Sequence, residues 1–225
     1  MSSIKRWIVL CLLFIIVPTS SYALTNWHKK NIARTIVTVV SYNTGDRFRG
    51  YGMGAVVGPS TILTAYHVVT DMKKVEGHIF VVDYYNKKYE VSGVILDGPH
   101  DLALISLKSQ ITRSEKLFLA SKNVRKKGSL IVPCVDDNNV FSFKSGTLLF
   151  KGTTLMIAQD HRGYIFSRVM FFKPAVLHGT SGSPLLDLDG NIVGVITASS
   201  KYVGMAQPMP YVRRLLKKAG LYGRP

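Results

Sequence analysis

Three side chains in this 225-residue sequence could share one reaction. Ser181 stands in Gly179-Thr180-Ser181-Gly182-Ser183-Pro184, between two glycines and just ahead of the apolar run Leu185, Leu186, Leu188. A serine hydroxyl is a poor nucleophile until a base takes its proton and a carboxylate orients that base. Upstream, Thr64-Ala65-Tyr66-His67-Val68-Val69 offers an imidazole, and His100-Asp101-Leu102-Ala103-Leu104-Ile105 offers a carboxylate. The chemistry these three types permit is attack on an acyl carbonyl. The glycines around Ser181 allow backbone bends that side chains resist, and such bends aim N–H groups at one point. The N–H groups of Gly179 and Ser181 are therefore candidates to hold the oxyanion of a tetrahedral intermediate.

These residues need a scaffold, and the sequence predicts one of short strands. Leu24 to Asn31 reads as a polar lead-in and Ile32 to Tyr42, rich in Val, Ile and Thr, as the first strand. Gly50 to Val57 is glycine-rich, Ser60 to Ala65 is a strand delivering His67, and Val68-Val69 would begin a short helical turn. Ile79 to Tyr85 and Tyr89 to Leu96 form a hairpin across Asn86-Lys87, and Leu102 to Leu107 follows Asp101. Further strands are expected at Ser129–Val135, Val140–Phe150, Thr153–Ala158, Ile165–Phe172, Pro184–Leu188 and Ile192–Ser199, with a short last one at Val203–Pro208. Asp187-Leu188-Asp189-Gly190-Asn191 is a hairpin turn. Pro210 to Gly220 reads as a helix with Val212, Leu215, Leu216 and Ala219 on one face, which should dock on the second group of strands and leave Arg213, Arg214, Lys217 and Lys218 in solvent.

The order His67, Asp101, Ser181 is that of the chymotrypsin-like double barrel, and the strings Thr-Ala-Tyr-His-Val-Val, Asp-Leu-Ala-Leu-Ile and Gly-Thr-Ser-Gly-Ser-Pro carry the likeness further. The sequence resembles trypsin-like serine proteases of the HtrA type. That resemblance implies an all-β fold of two six-stranded antiparallel Greek-key barrels with a C-terminal helix. It implies a first barrel over 24–108, a polar linker over 109–127, a second barrel over 128–208 and a helix and tail over 209–225, with no PDZ module following. It also implies a catalytic triad of His67, Asp101 and Ser181, an oxyanion hole of Gly179 and Ser181, and peptide-bond hydrolysis through an acyl-enzyme without metal or organic cofactor. Thr180 replaces the family's common Asp or Asn, and Ser183 its second glycine. No Ile-Val-Gly-Gly activation site is present. In the family, the position six before the nucleophile sets the base of the primary pocket; here it is Ala175. Thr197, Ala198 and Ser199 map to the pocket wall and His178 to its rim, while Ile196 occupies the place of the histidine found in glutamate-specific relatives. A pocket without charge implies cleavage after small or medium apolar residues.

Composition sets the compartment and the surface. Lys5 and Arg6, then the apolar Trp7 to Val17, then Ser21-Tyr22-Ala23 read as a secretory signal over 1–23. A membrane anchor is the alternative, but the apolar run is short of the roughly 20 residues a span needs. Cleavage after Ala23 would remove those two cations and lower the net charge from +16 to +14. Cys134 would then be the only cysteine, read as a small buried apolar residue with no disulfide partner. The expected location is secreted or periplasmic.

Basic pairs such as Lys29-Lys30, Lys87-Lys88 and Lys217-Lys218 are scattered, which suits a cationic surface able to adhere to anionic polymers without specificity. No zinc-ligand spacing, phosphate-binding glycine loop or RNA-binding aromatic motif accompanies them, so specific nucleic-acid recognition is not expected. His28, His78 and His161 read as surface groups, and His100-Asp101 lacks the further ligands a metal-dependent phosphohydrolase needs. The partners expected are protein or peptide substrates; nothing fixes the oligomeric state. The rival reading is a binding module on a protease fold, working through its cationic surface, and a weaker one is ester hydrolysis by the same triad.

Overall fold

The computed structural model describes residues 26–43, 48–73, 77–112, 116–121, 127–136, 138, 140–157 and 164–221. The predicted signal over 1–23, His161 and the charged stretch 122–126 lie outside the described residues. Twelve strands form two closed six-stranded antiparallel barrels, the chymotrypsin-like fold. The first holds β1 (Ile36–Asn43), β2 (Phe48–Gly58), β3 (Thr61–Thr64), β4 (Gly77–Val82), β5 (Lys88–Asp97) and β6 (Leu102–Leu107). The second holds β7 (Ser129–Val135), β8 (Phe141–Ile157), β9 (Tyr164–Lys173), β10 (Pro184–Leu186), β11 (Ile192–Ser199) and β12 (Gly204–Pro208). In each barrel the fourth strand returns beside the first, β4 on β1 and β10 on β7, which is Greek-key connectivity.

Strand periodicity explains why there are three cores. Successive side chains point to opposite faces, so on β6 Ala103 and Ile105 fill the first barrel while Leu102 and Leu104 face the seam between the barrels. On β3, Ile62 points in and Leu63 points to the seam. The second barrel repeats the pattern: Leu130, Val132, Leu185 and Val193 line its interior, while Ile131, Leu186 and Ile192 join the seam. The seam cluster is therefore a continuous apolar layer shared by both barrels, and it fixes their mutual position. The linker reinforces it, since Leu117 N–H donates to Val56 O of β2 at 2.8 Å and Ala120 N–H to Ile192 O of β11 at 2.9 Å.

Four elements differ from the sequence reading. Residues Asn26–Arg34 form a helix, α1, so the first strand begins at Ile36 rather than Ile32. Ile32 and Ala33 are buried on that helix, and Ile32 joins the seam. The expected strands Val140–Phe150 and Thr153–Ala158 are one continuous β8, because Gly152 stays in the ladder opposite Val169 and the irregularity is a bulge at Leu148/Phe150. The C-terminal helix α3 runs Met209–Lys218, and its buried face (Met209, Val212, Leu215, Leu216) enters the seam rather than docking on the second barrel alone. Arg213 is part-buried: its guanidinium donates to the linker carbonyls of Ala120 and Ser121. Arg214, Lys217 and Lys218 are exposed, as their polarity suggests.

Candidate active site

The paired strands β3 and β6 bring His67 and Asp101 together. Thr64, the last residue of β3, lies directly opposite Ala103 near the start of β6. The chain leaving β3 and the chain entering β6 thus meet at one end of the first barrel. His67 follows three residues after Thr64 on the helix α2 (Tyr66–Lys73), whose Val68 and Val69 anchor it in the barrel core. Asp101 precedes Ala103 by two and closes the single 3₁₀ turn η1 (Gly98–His100) in the left-handed region, φ +49°, its N–H bonded to Gly98 O. Aspartate tolerates that conformation better than most residues.

One carboxylate then satisfies two donors. Asp101 Oδ2 lies 2.8 Å and Oδ1 3.1 Å from His67 Nδ1, and Oδ1 also accepts the backbone N–H of His67 at 2.9 Å. That N–H belongs to the first turn of α2, where helical amides lack partners and an anion is favoured. Asp101 therefore caps the helix that carries His67 while holding its ring. An ionised carboxylate only accepts, so Nδ1 carries the proton and Nε2 is left as the basic nitrogen. Asp101 is 3% exposed, and these bonds offset the cost of its burial.

The candidate nucleophile comes from the second barrel. Ser181 sits in the loop between β9 and β10, flanked by Gly179 at φ +88° and Gly182 at φ +86°. A β-carbon on Gly182 would collide with Met53 O and Thr64 Oγ1 of the first barrel, so the loop can approach β2 and β3 only with glycine there. Met53 N–H donates to Ser181 O at 2.7 Å, tying the two barrels at the serine itself. On the other side, Gly182 N–H donates to Ile196 O at 2.8 Å and Ile196 N–H to Ser183 O at 2.9 Å, so β11 runs beside the loop.

The two residues that depart from the common family pattern have structural work here. Thr180 and Ser183 are fully buried; the Thr180 hydroxyl accepts Val135 N–H at 3.3 Å and the Ser183 hydroxyl donates to Pro133 O at 2.8 Å. Both bonds pin the loop to β7. The N–H groups of Gly179 and Ser181, by contrast, make no hydrogen bond among the described residues.

His67 and Ser181 open onto one cleft of about 550 Å³, lined also by Val176, Leu177, His178, Ile196, Thr197, Ala198, Ser199 and Ser200. Of the sequence-based pocket residues, His178, Thr197, Ala198 and Ser199 are in this lining. Ala175 is not; its neighbour Val176 is, held by a 3.0 Å bond from its N–H to Ser199 Oγ. Ile196, which the resemblance sets in the place of that histidine, is in the lining too; Val176, Leu177 and Ser200 were not singled out from sequence, although each adjoins a residue that was. Cys134 is buried, with Sγ 3.6 Å from Ser142 Oγ, and takes no part in the cleft. Among the described residues, no group of His, Cys, Asp and Glu gathers as metal ligands. His28 and His78 are exposed, whereas His100 contacts Asp97, Tyr211 and Arg214 behind the Asp101 turn.

Two Greek-key barrels, with a histidine–aspartate pair from the first and a serine loop from the second meeting in a cleft, define the class of two-barrel serine peptidase folds. The trypsin-like peptidase domain model matches residues 52–195, and the chain belongs to that family. It is 26% identical over 230 residues to protease Do-like 14 of Arabidopsis thaliana, covering 92% of this chain and 52% of that one. It is 30% identical over 168 residues to a DegP-like periplasmic serine endoprotease of Chlamydia pneumoniae, covering 71% of this chain and 32% of that one. The chain thus spans about half the length of the first relative and a third of the second. The active form of a protease from M. tuberculosis superposes with a TM-score of 0.74 at 19% identity, over 88% of this chain and 85% of that one, which establishes the likeness of fold.

Proposed function

We propose that this chain is a serine endopeptidase in which Ser181 attacks, His67 moves the proton and Asp101 orients His67. The observation that carries the reading is that His67, bonded to the buried Asp101, opens onto the same cleft as Ser181. His67 Nε2 takes the Ser181 proton as Oγ bonds to the scissile carbonyl carbon. The free N–H groups of Gly179 and Ser181 receive the oxyanion; loss of one such donor typically costs about 2.7–4 kcal/mol of transition-state stabilisation. His67 then returns the proton to the leaving amine, and water repeats the cycle on the acyl-enzyme. Apart from the substrate and that water, these steps draw on side chains and backbone amides of this chain.

The cleft walls of Val176, Leu177, Ile196 and Ala198 support acceptance of small or medium apolar side chains before the scissile bond, with no described acidic side chain among the lining to pair a basic one. His178 at the rim is the one titratable group there besides His67. A 1–23 signal and the periplasmic name of the Chlamydia relative favour work outside the cytoplasm. The test is digestion of a peptide library by wild type and Ser181→Ala, read by mass spectrometry. Cleavage after apolar residues, absent in the variant, is expected. Equal cleavage by both would refute the role of Ser181, and dominance of Lys, Arg or Glu would refute the pocket reading.

A further inference from the structure

We propose that a second cavity, between β8, β9 and the β12–α3 junction, binds a phosphate group carried on an apolar or aromatic molecule. The cavity measures about 270 Å³ and is lined by Lys151, Arg168, Pro208, Pro210 and Tyr211. That is near the lower end of small-ligand sites. None of its residues lines the cleft of Ser181.

Strand register sets the two cations on one face. Thr153 is opposite Arg168, and Lys151 lies two residues before Thr153, so Lys151 and Arg168 are diagonal neighbours, roughly 7–8 Å apart at the backbone. Neither makes a side-chain hydrogen bond or ion pair among the described residues. Some other cations of the chain are engaged: Lys108 with Glu90, Arg213 with linker carbonyls, Arg214 with Asp97. Two like charges lining one cavity with no counter-charge among its described lining residues favour an anion.

The opposite wall adds to the same sign. Pro208, Pro210 and Tyr211 belong to the N-cap and first turn of α3, which has no side-chain cap bond and no acidic residue in that turn. Such an end favours negative charge. A carboxylate would neutralise only one of the two cations. A phosphate monoester, with a charge of about −1.5 to −2 at neutral pH, matches both. The two proline rings and the Tyr211 ring supply an apolar face for the group that carries the phosphate. Tyr211 is already held from behind, with its ring centroid 3.9 Å from that of His100 and the Arg214 guanidinium 5.6 Å from its centroid. Its position therefore needs little ordering when a ligand arrives.

The phosphate could come free or as an ester, and titration calorimetry of the full chain at low ionic strength separates the two. Inorganic phosphate and phenyl phosphate are the probes. Phenyl phosphate should bind about tenfold more tightly than inorganic phosphate, and Lys151→Gln or Arg168→Gln should each weaken it about tenfold, the effect of one charge-assisted hydrogen bond. Lys217→Gln, at the far end of α3, should change nothing. Equal affinity for the two probes would remove the apolar half of the proposal. Absence of binding at millimolar concentration would overturn the site. So would equal weakening by Lys217→Gln, or an oligonucleotide that binds wild type and Arg168→Gln alike, since either would assign the attraction to the surface as a whole. The titration reads binding and not hydrolysis, so its outcome is independent of the peptidase reading.

Discussion

The two barrels hold their candidate site residues by different physical means. In the first, His67 and Asp101 stand two or three residues beyond paired strand ends, so the register Thr64↔Ala103 places them, and a buried carboxylate locks them together. In the second, Ser181 rides on a loop whose shape depends on two glycines at positive φ and on hydroxyl anchors to β7. Regular pairing is robust because many bonds share the load. The loop is held by separate bonds to β2, β7 and β11 rather than by a regular ladder, so each matters singly. The first barrel should therefore tolerate substitution near its site without losing structure, while the second should lose structure and chemistry together.

The largest expected effect is on the loop. Gly182→Ala must place a β-carbon against Met53 O and Thr64 Oγ1 at φ +86°. A destabilisation of more than about 4 kcal/mol is expected, read as a lowered midpoint in urea together with loss of hydrolysis. A normal midpoint would show that the loop has slack. Asp101→Asn is the counterpart in the first barrel. It keeps the shape but can leave the imidazole in the wrong tautomer, so turnover should fall by about 10⁴ with only a modest change in melting temperature. If the melting temperature fell as far as in Gly182→Ala, the contrast between the barrels would fail.

Smaller changes sharpen the comparison. Thr180→Val removes the acceptor of Val135 N–H while keeping volume, and a loss of about 1–3 kcal/mol with reduced turnover is expected from an unpaired buried donor. Unfolding and single-turnover kinetics together would show whether stability and chemistry move in step. Last is Lys108→Ala, which removes the 2.6 Å bridge to Glu90. The hydrogen bond and charge of Lys108 hold the Glu90 pKa below its ordinary value. Because the folded value is the lower one, this pair's contribution is present above the unfolded carboxylate pKa and fades as pH falls through the folded value. Glu90 is fully exposed, so the variant should be indistinguishable from wild type in its melting temperature near neutral pH.

Much of this architecture is legible in residue order, because its signals are local. The strand–turn–strand strings around His67 and Asp101 sit within a few residues of the groups they position, and Asn86 at φ +61° is the turn that the Asn-Lys hairpin suggests. What escapes a sequence reading depends on distant partners. Ile32 reads as a strand residue because it is β-branched, but the seam offers it a buried place on α1. Lys151-Gly152 resembles a turn, yet β9 runs alongside and keeps both residues paired. Arg213 reads as a solvated cation until the linker carbonyls, about ninety residues away in sequence, come within its reach. The cleft lining follows the same rule: Val176, next to Ala175, lines the cleft, and its N–H is bonded to Ser199 Oγ, 23 residues away in sequence.

The proposed role of Ser181 is that of an activated nucleophile held between the two barrels. Its most direct test is treatment of the chain with a fluorophosphonate, followed by peptide mapping in the mass spectrometer. The expected result is a single covalent adduct on Ser181, abolished in Ser181→Ala and much slowed in Asp101→Asn. An unmodified chain, or a label on another residue with Ser181 untouched, would contradict it.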